Sequence, residues 1–346
     1  MQGVISVKGV LFRNAKEVSV EELPNPKPER DEALIKVKYA GICGTDIHVY
    51  RGEHPTAKYP LVPGHEFVGQ LVEMNTDKET DLKAGDYVLV QPIKSCGVCD
   101  LCIQGRDNVC SKLTILGVHD FGCFAEYIKV PARKVYRLPD GVDLRLAALT
   151  EPLAVAVHDV RASNLKVGQT VLVIGGGPIG VLIAMVAKLN GASKIVITEV
   201  NKYRIKFAED LGFTVINPTE DGLLPKLLDQ TDGKGFDIVY EVSGTRPGAE
   251  LMTQAAKIGG TILIVGVASD KYPVDVGSIM AKELEIKGVR IHSQINFAAA
   301  IEILKSGVMN DMLVKLITHE FPLDRAEEAI KFSIEDQEHF KVLIKI

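Results

Sequence analysis

The sequence predicts an α/β protein: a doubly wound parallel sheet of six strands, inserted into a second, β-rich domain. Three observations predict it. Four apolar residues, Val171 to Ile174, run straight into Gly175-x-Gly177-x-x-Gly180, and an apolar segment follows to about Asn190. A second apolar run, 194–198, ends on an acid, Glu199. Strand and helix patterns then alternate. Segments 214–217, 237–244, 261–269 and 284–291 join 171–174 and 194–199 as strands, making the six of a doubly wound sheet.

The glycine segment is strand, tight turn, helix, strand, acid, and each part has a physical role. Glycines permit the turn and let the backbone approach a pyrophosphate. Pro178 suits the first helical turn, where its missing N–H costs nothing, and Ile179 follows it. Free N–H groups and the partial positive charge of the helix N-terminus face the phosphates. Glu199 stands where a carboxylate accepts the hydroxyls of an adenosine ribose and repels a 2′-phosphate, which selects NAD over NADP. Arg204 closes the segment and joins this cofactor set. Residues 167–187 carry no charge and are long enough to span a bilayer. Gly-Gly-Gly-Pro in the middle marks instead a buried strand followed by a buried helix.

The remaining elements come in order. The 346 residues suit about two domains, and 46% hydrophobic with 25% charged residues suits a sizeable core. A net charge of −5 gives no basic footprint for nucleic acid or an anionic membrane. The opening MQGVISVKGV has no signal-peptide core, so the expected location is the cytoplasm. VISVKGVLF (4–12) and EALIKVKYA (32–40) read as strands, separated by a loop holding Pro24, Pro26 and Pro28. Cys43, Thr45, Asp46, His48, His54, His65 and Glu66 then crowd a segment broken by glycine and proline. Cys43 and His65 are ligand types that zinc takes. VGQLVEMN and DYVLVQPI are strands around a KAGD turn. Cys96, Cys99, Cys102 and Cys110 are spaced to close around one tetrahedral zinc within a loop. Iron–sulfur clusters use similar spacing, but four thiolates with no electron-transfer partner domain favour a structural zinc. Cys123 reads as a packed thiol in a strand-like stretch, 117–130. Glu151 opens the helix EPLAVAVHDV, where an acid and a proline suit the first turn. Beyond 291 come two amphipathic helices, FAAAIEILKSG and DRAEEAIKFS, and a last strand, KVLIKI.

These motifs, GICGTDIH, GHEFVG, the four-cysteine lobe, GCFAEY, EPLAVAVH and VIGGGPIG, stand in the order of a known family. The chain resembles the zinc-dependent medium-chain dehydrogenases over its whole length. EPL and the GHE carboxylate bring it nearest the sorbitol (polyol), sugar-acid and threonine dehydrogenase branch. GCFAEY replaces the family's usual GGFAEY and touches none of the chemistry. The resemblance implies a GroES-like catalytic domain, 1–153 and 292–346 with a structural-zinc lobe at 91–114, around a Rossmann NAD-binding domain, 154–291. It implies two zinc ions per chain. Cys43 and His65 hold the catalytic one with Glu66 or Glu151 as third protein ligand, and the four cysteines hold the other. Asp46 would orient the zinc histidine, while Thr45 and His48 would relay a proton.

The expected reaction moves hydride between a secondary alcohol of a polyol, sugar acid or related hydroxy compound and NAD, in a cleft between the domains. Arg51, Lys58, Tyr59, Arg290 and His292 are polar candidates for the substrate, and Arg290 would hold an anionic group. A homodimer or homotetramer is implied, with the last Rossmann strand and residues 267–279 as interface. Two other readings compete. A catalytically silent nucleotide or metabolite binder would have no need of ligands, relay and ribose acid together. A zinc-independent quinone or enoyl reductase would often lack the cysteine lobe.

Overall fold

The structure, a computed structural model, describes residues 6–268 and 270–346. Val4 and Ile5 of the first expected strand, and Ser269 of the 261–269 segment, lie outside the described residues. The chain divides into two compact units, Met1–Glu151 with Ser293–Ile346, and Pro152–His292.

The first unit starts with an antiparallel ribbon, β1 (Ser6–Asn14) and β2 (Glu17–Pro24). β3 (Glu32–Gly41), α1 (Gly44–Arg51), β4 (Glu66–Asn75), β5 (Tyr87–Val90) and the short β6 (Ile93–Lys94) follow. The cysteine lobe contains α2 (Asp100–Ile103) and ends near β7 (Thr114–Ile115), which pairs with β6. Next come β8 (Tyr127–Pro131), β9 (Val135–Arg137) and α3 (Leu144–Ala147), and then α4 (Thr150–Ala162), whose residues from Pro152 on belong to the second unit. Within the expected 117–130 stretch, only Tyr127–Val130 belongs to a strand, β8. Upstream, the amides of Gly122, Cys123 and Phe124 bond the carbonyls of Val62, Gly64 and Pro63. That anchors the backbone leading into His65.

The second unit runs β10 (Thr170–Ile174), α5 (Pro178–Leu189), β11 (Lys194–Thr198), α6 (Lys202–Asp210), β12 (Thr214–Ile216), α7 (Leu223–Asp229), β13 (Phe236–Glu241), α8 (Arg246–Ala255), β14 (Ala256–Ile264), α9 (Val276–Ala281) and β15 (Glu285–Gly288). Its six strands are all parallel, in the order β12-β11-β10-β13-β14-β15. This is the doubly wound sheet expected from the sequence. β10 lies where the order reverses, the point at which such sheets bind ligands. Val171, Leu172 and Val173 are wholly buried, as a central parallel strand covered on both faces requires.

The chain then returns to the first unit with α10 (Gln294–Ser306), α11 (Asn310–Leu316), β16 (Ile317–Pro322), α12 (Ala326–Glu335) and β17 (Lys341–Lys345). The sheet there has the order β16-β17-β3-β4-β5-β9, with β8 also on β3. β8 takes Glu32–Lys36 and β17 takes Tyr39–Gly41. Phe12, Ile35, Val37, Phe67, Phe124 and Ile344 are among the apolar residues that fill its core. Each such side chain contributes about 1.5–3 kcal/mol on burial.

One buried group in the second unit opposes folding. Asp159 of α4 is fully buried, and neither carboxylate oxygen has a hydrogen-bond partner among the described residues. Burial pushes its pKa well above the ordinary value. The unfolded chain therefore loses this proton at lower pH than the folded chain, and stability falls as pH rises from about 4 upward. Asp159→Ala should raise the Tm at pH 8, by an amount equivalent to about 1–3 kcal/mol, and much less at pH 4. Calorimetry at both pH values checks this. An equal shift at both would rule out the carboxylate's charge as the cause.

Candidate active site

Among the described residues, two groups of metal-ligating side chains form, both within the first unit. The first is Cys43, His65 and Glu66, whose donor atoms all lie within 4.8 Å of one another. Cys43 is the residue just before α1, and His65 and Glu66 enter β4. His65 and Glu66 are buried. Asp46, also fully buried, ties the two ligand-bearing loops together. Its Oδ2 accepts the Cys43 amide at 2.9 Å and its Oδ1 the Gly64 amide at 3.0 Å. The same Oδ1 is 3.8 Å from His65 Nδ1, so Asp46 grips the backbone on both sides more closely than it grips the ring. His65 Nδ1 is buried and lacks a hydrogen-bond partner.

Charge in this pocket is dense. Burial pushes Asp46 up, against His65 and the two backbone amides. Burial alone would lower His65, but Asp46, Cys43 and Glu151 around it hold its pKa well above the ordinary value. Burial also raises Glu66, Lys341 lowers it, and the neighbouring Glu151 raises it again. Glu151 is buried in the first turn of α4. It lies close enough to act on both residues, but its carboxylate is outside the 4.8 Å group. A thiolate, an imidazole and a carboxylate converging in a buried, acid-rich pocket suit a divalent zinc ion. The unpartnered ring nitrogen beside Asp46 also fits a ligating histidine.

The second group is Cys96, Cys99, Cys102 and Cys110. Sγ atoms of Cys96 and Cys102, and of Cys99 and Cys110, are 3.9 Å apart. Thiolates about 2.3 Å from one zinc stand about 3.8 Å apart in a tetrahedron. Backbone amides of Cys99, Cys96 and Lys112 point at these sulfurs, each at 3.3 Å. Backbone donors pull Cys99 down to about 6. Four thiolates close the coordination, so this site suits a structural ion. Cys123 is fully buried, its thiol pushed well up by burial, and stands outside both groups.

Sequence reading missed two buried lysines. Lys341 of β17 contacts Glu66. Lys134 lies under the cysteine lobe, with Asp107 at 2.5 Å and Gln91 at 2.6 Å. A lysine at the head of the apolar run KVLIKI was the available signal for Lys341. Nothing local marks Lys134.

Thr45 and Asp46 lie in the first turn of α1 and His48 in its last. His48 Nδ1 is 2.9 Å from Glu53 Oε2, and 41% of its side chain is exposed. Among the substrate candidates, Tyr59 donates its hydroxyl to the Val49 carbonyl. Arg51 and Lys58 are exposed. Arg290 and His292 belong to the second unit, the former exposed just past β15 and the latter fully buried.

The glycine turn follows β10 in the second unit. Gly175 has φ +107°, and a Cβ on Gly180 would collide with the Gly175 carbonyl oxygen, so neither position admits a side chain without distortion. Gly177 precedes α5, Pro178 opens it, and half-buried Ile179 follows. Glu199 is buried at the end of β11. Its carboxylate accepts the amides of Gly176 at 2.9 Å, Val200 at 2.7 Å and Asn201 at 2.9 Å. Arg204, in the first turn of α6, has a buried Nε with no partner. Its Nη1 would lie 3.6 Å from a Cβ on Gly177.

Residues 29–140 match the alcohol dehydrogenase GroES-like domain, and residues 178–306 match the zinc-binding dehydrogenase domain. The 2-dehydro-3-deoxy-L-galactonate 5-dehydrogenase of Pseudoalteromonas atlantica is 40% identical over 81% of this chain and 82% of its own length. The chain belongs to the zinc-type medium-chain dehydrogenases. Two solved structures show the same fold, each 31% identical to this dehydrogenase. A zinc-binding dehydrogenase from Sinorhizobium meliloti, bound to NADP, has a TM-score of 0.91 and covers 99% of both chains. A structure described as a short chain alcohol dehydrogenase from Escherichia coli, complexed with NADH, has a TM-score of 0.93 and covers 99% of this chain and 100% of that one. No helix among the described residues of this dehydrogenase is long and apolar enough to cross a membrane.

Proposed function

We propose that this dehydrogenase oxidises a secondary alcohol of a polyol or sugar acid to the ketone with NAD, at a zinc held by Cys43, His65 and Glu66. The convergence of those three donors in a buried pocket carries the reading. Zinc, when bound, supplies a Lewis acid that lowers the pKa of a substrate hydroxyl, as it lowers that of water from ~15.7 to ~7.

The residues of the chain do the rest. Asp46 fixes the Cys43 and Gly64 backbones, so the ligands keep their spacing as substrates come and go. Thr45 takes the hydroxyl proton. His48, paired with Glu53 and open to solvent, passes it outward. Glu151 adds a further carboxylate beside Glu66. The amides of the glycine turn hold the pyrophosphate. Glu199, its carboxylate held by three backbone amides, faces the adenosine ribose and disfavours a 2′-phosphate. Arg204 flanks the same turn, and Arg290 is assigned to an anionic group of the substrate.

The cysteine lobe takes a second, structural zinc. All six cysteines are free, in keeping with a reducing cytoplasm. Exposed Val267, Val276 and Met280 support a homodimer or homotetramer. The sugar-acid preference draws on the Pseudoalteromonas relative.

The experiment is NAD- and NADP-linked oxidation of a polyol and sugar-acid panel, with zinc measured before and after chelation. The expected result is about two zinc ions per chain, preference for NAD, and loss of turnover as the more labile ion leaves. One ion with no turnover, unchanged by added zinc, would favour a silent binder instead.

A further inference from the structure

The ligand pocket contains one charged group that the mechanism above does not use. Lys341 is buried in β17, and its sequence distance from Glu66 is 275 residues. Its Nζ donates to Glu66 Oε1 at 2.6 Å and to the Ile42 carbonyl at 3.1 Å. Glu66 Oε2 is 2.5 Å away, but has no aligned hydrogen bond. Ile42 immediately precedes Cys43, so one ammonium touches both ligand-bearing segments.

The sheet explains how it reaches them. Gly41 ends β3, with Glu66 opposite it on β4 and Leu343 opposite it on β17. The carboxylate of Glu66 lies across the end of β3, over Gly41, where a Cβ would strike Oε2. The Ile42 amide in turn bonds the Val342 carbonyl at 3.0 Å. Without the lysine, the Glu66 carboxylate would be buried beside Cys43 and Glu151 without its hydrogen-bond donor. A buried carboxylate left without its hydrogen-bond donor turns away from its place.

We propose that Lys341 is a positioning residue for the catalytic metal: it fixes the Glu66 carboxylate in one orientation and ties the Cys43 loop to it. Asp46 and Lys341 thus form two clamps of opposite sign. The acid holds the Cys43 and Gly64 backbones from α1, and the base holds Ile42 and Glu66 from β17. The proposal rests on the reading of Cys43, His65 and Glu66 as zinc ligands.

The test is zinc release to a chromogenic chelator from the full-length protein, with the cysteine-lobe zinc as internal reference. Lys341→Met keeps the length and packing of the side chain and removes the charge, and Lys341→Arg keeps the charge. In Lys341→Met, the labile zinc should leave about 10- to 100-fold faster, as when a partner of a metal ligand is lost. The second zinc should leave at the wild-type rate. Lys341→Arg should recover most of the difference, and the d–d spectrum of cobalt in the labile site should change in Lys341→Met only. Unchanged release and spectrum in Lys341→Met would overturn the proposal, as would equal acceleration of both ions. A wild-type protein that holds only the cysteine-lobe zinc would instead overturn the ligand reading itself.

Discussion

Replacing Cys43 by alanine should remove one zinc equivalent and lower kcat/KM for the alcohol by about a thousandfold or more. Lewis-acid stabilisation by a bound metal is worth several kcal/mol, and each ~1.4 kcal/mol is a factor of ten in rate. Of the three donors, Cys43 is the cleanest to remove. Glu66 is tied to Lys341 and His65 sits beside Asp46, so changing either strands a buried charge. Cys43 is only half-buried at the start of α1. Its side chain can go while Asp46 still accepts the Cys43 backbone amide. Metal analysis, circular dichroism and steady-state kinetics on one preparation check this. A Cys43→Ala protein with two zincs and wild-type turnover would remove the proposed site.

The second large effect is on stability. Asp107→Ala should destabilise the first unit by about 3–5 kcal/mol, the usual cost of breaking a buried ion pair from one side. Lys134 Nζ would keep only Gln91, and burial already pushes that ammonium down. The Gln294 amide at the start of α10 would also lose its acceptor, now at 3.1 Å. Asp107 begins a short 3-10 turn that ends one residue before Cys110, so loosening should spread into the cysteine lobe. Asp107→Asn keeps an acceptor and should cost less than Asp107→Ala. Urea unfolding followed by far-UV dichroism and zinc release measures both. A loss below about 1 kcal/mol in Asp107→Ala would show that the pair is not what fastens the lobe.

Much of this architecture is legible locally. The strand at Val171–Ile174, the glycine turn and Glu199 lie within one continuous stretch, and short-range pattern suffices to read them. The four cysteines are equally local, and the structure gathers their sulfurs as the spacing suggests. Cys43 is distant in sequence from the adjacent His65 and Glu66, and family resemblance more than spacing draws attention to the three together. What pattern does not convey is pairing across long distances. Lys341 reads as the first residue of a strand, and Lys134 as an ordinary charge after a proline. Neither partner can be named without the sheet that sets β17 beside β3 and β4 on the other side of β3, or the lobe that folds back on the core. β2, with no fully buried residue, also gives little alternation to read. α11 passes directly into β16, from Leu316 to Ile317, with no glycine or proline between them to mark the change.

The return of the chain to its first unit has a consequence for biosynthesis. β17 emerges from the ribosome only after the whole Pro152–His292 unit, which is continuous and can collapse on its own contacts. Until then, β3 has β4 and β8 as neighbours but an empty edge at Tyr39–Gly41, and Glu66 waits without its cation. The nucleotide-binding half is therefore set to mature first, and the metal pocket is completed last. Nascent chains stalled before Lys341 should already protect β10 and β13 from proteolysis while leaving the Cys43 loop open to cleavage.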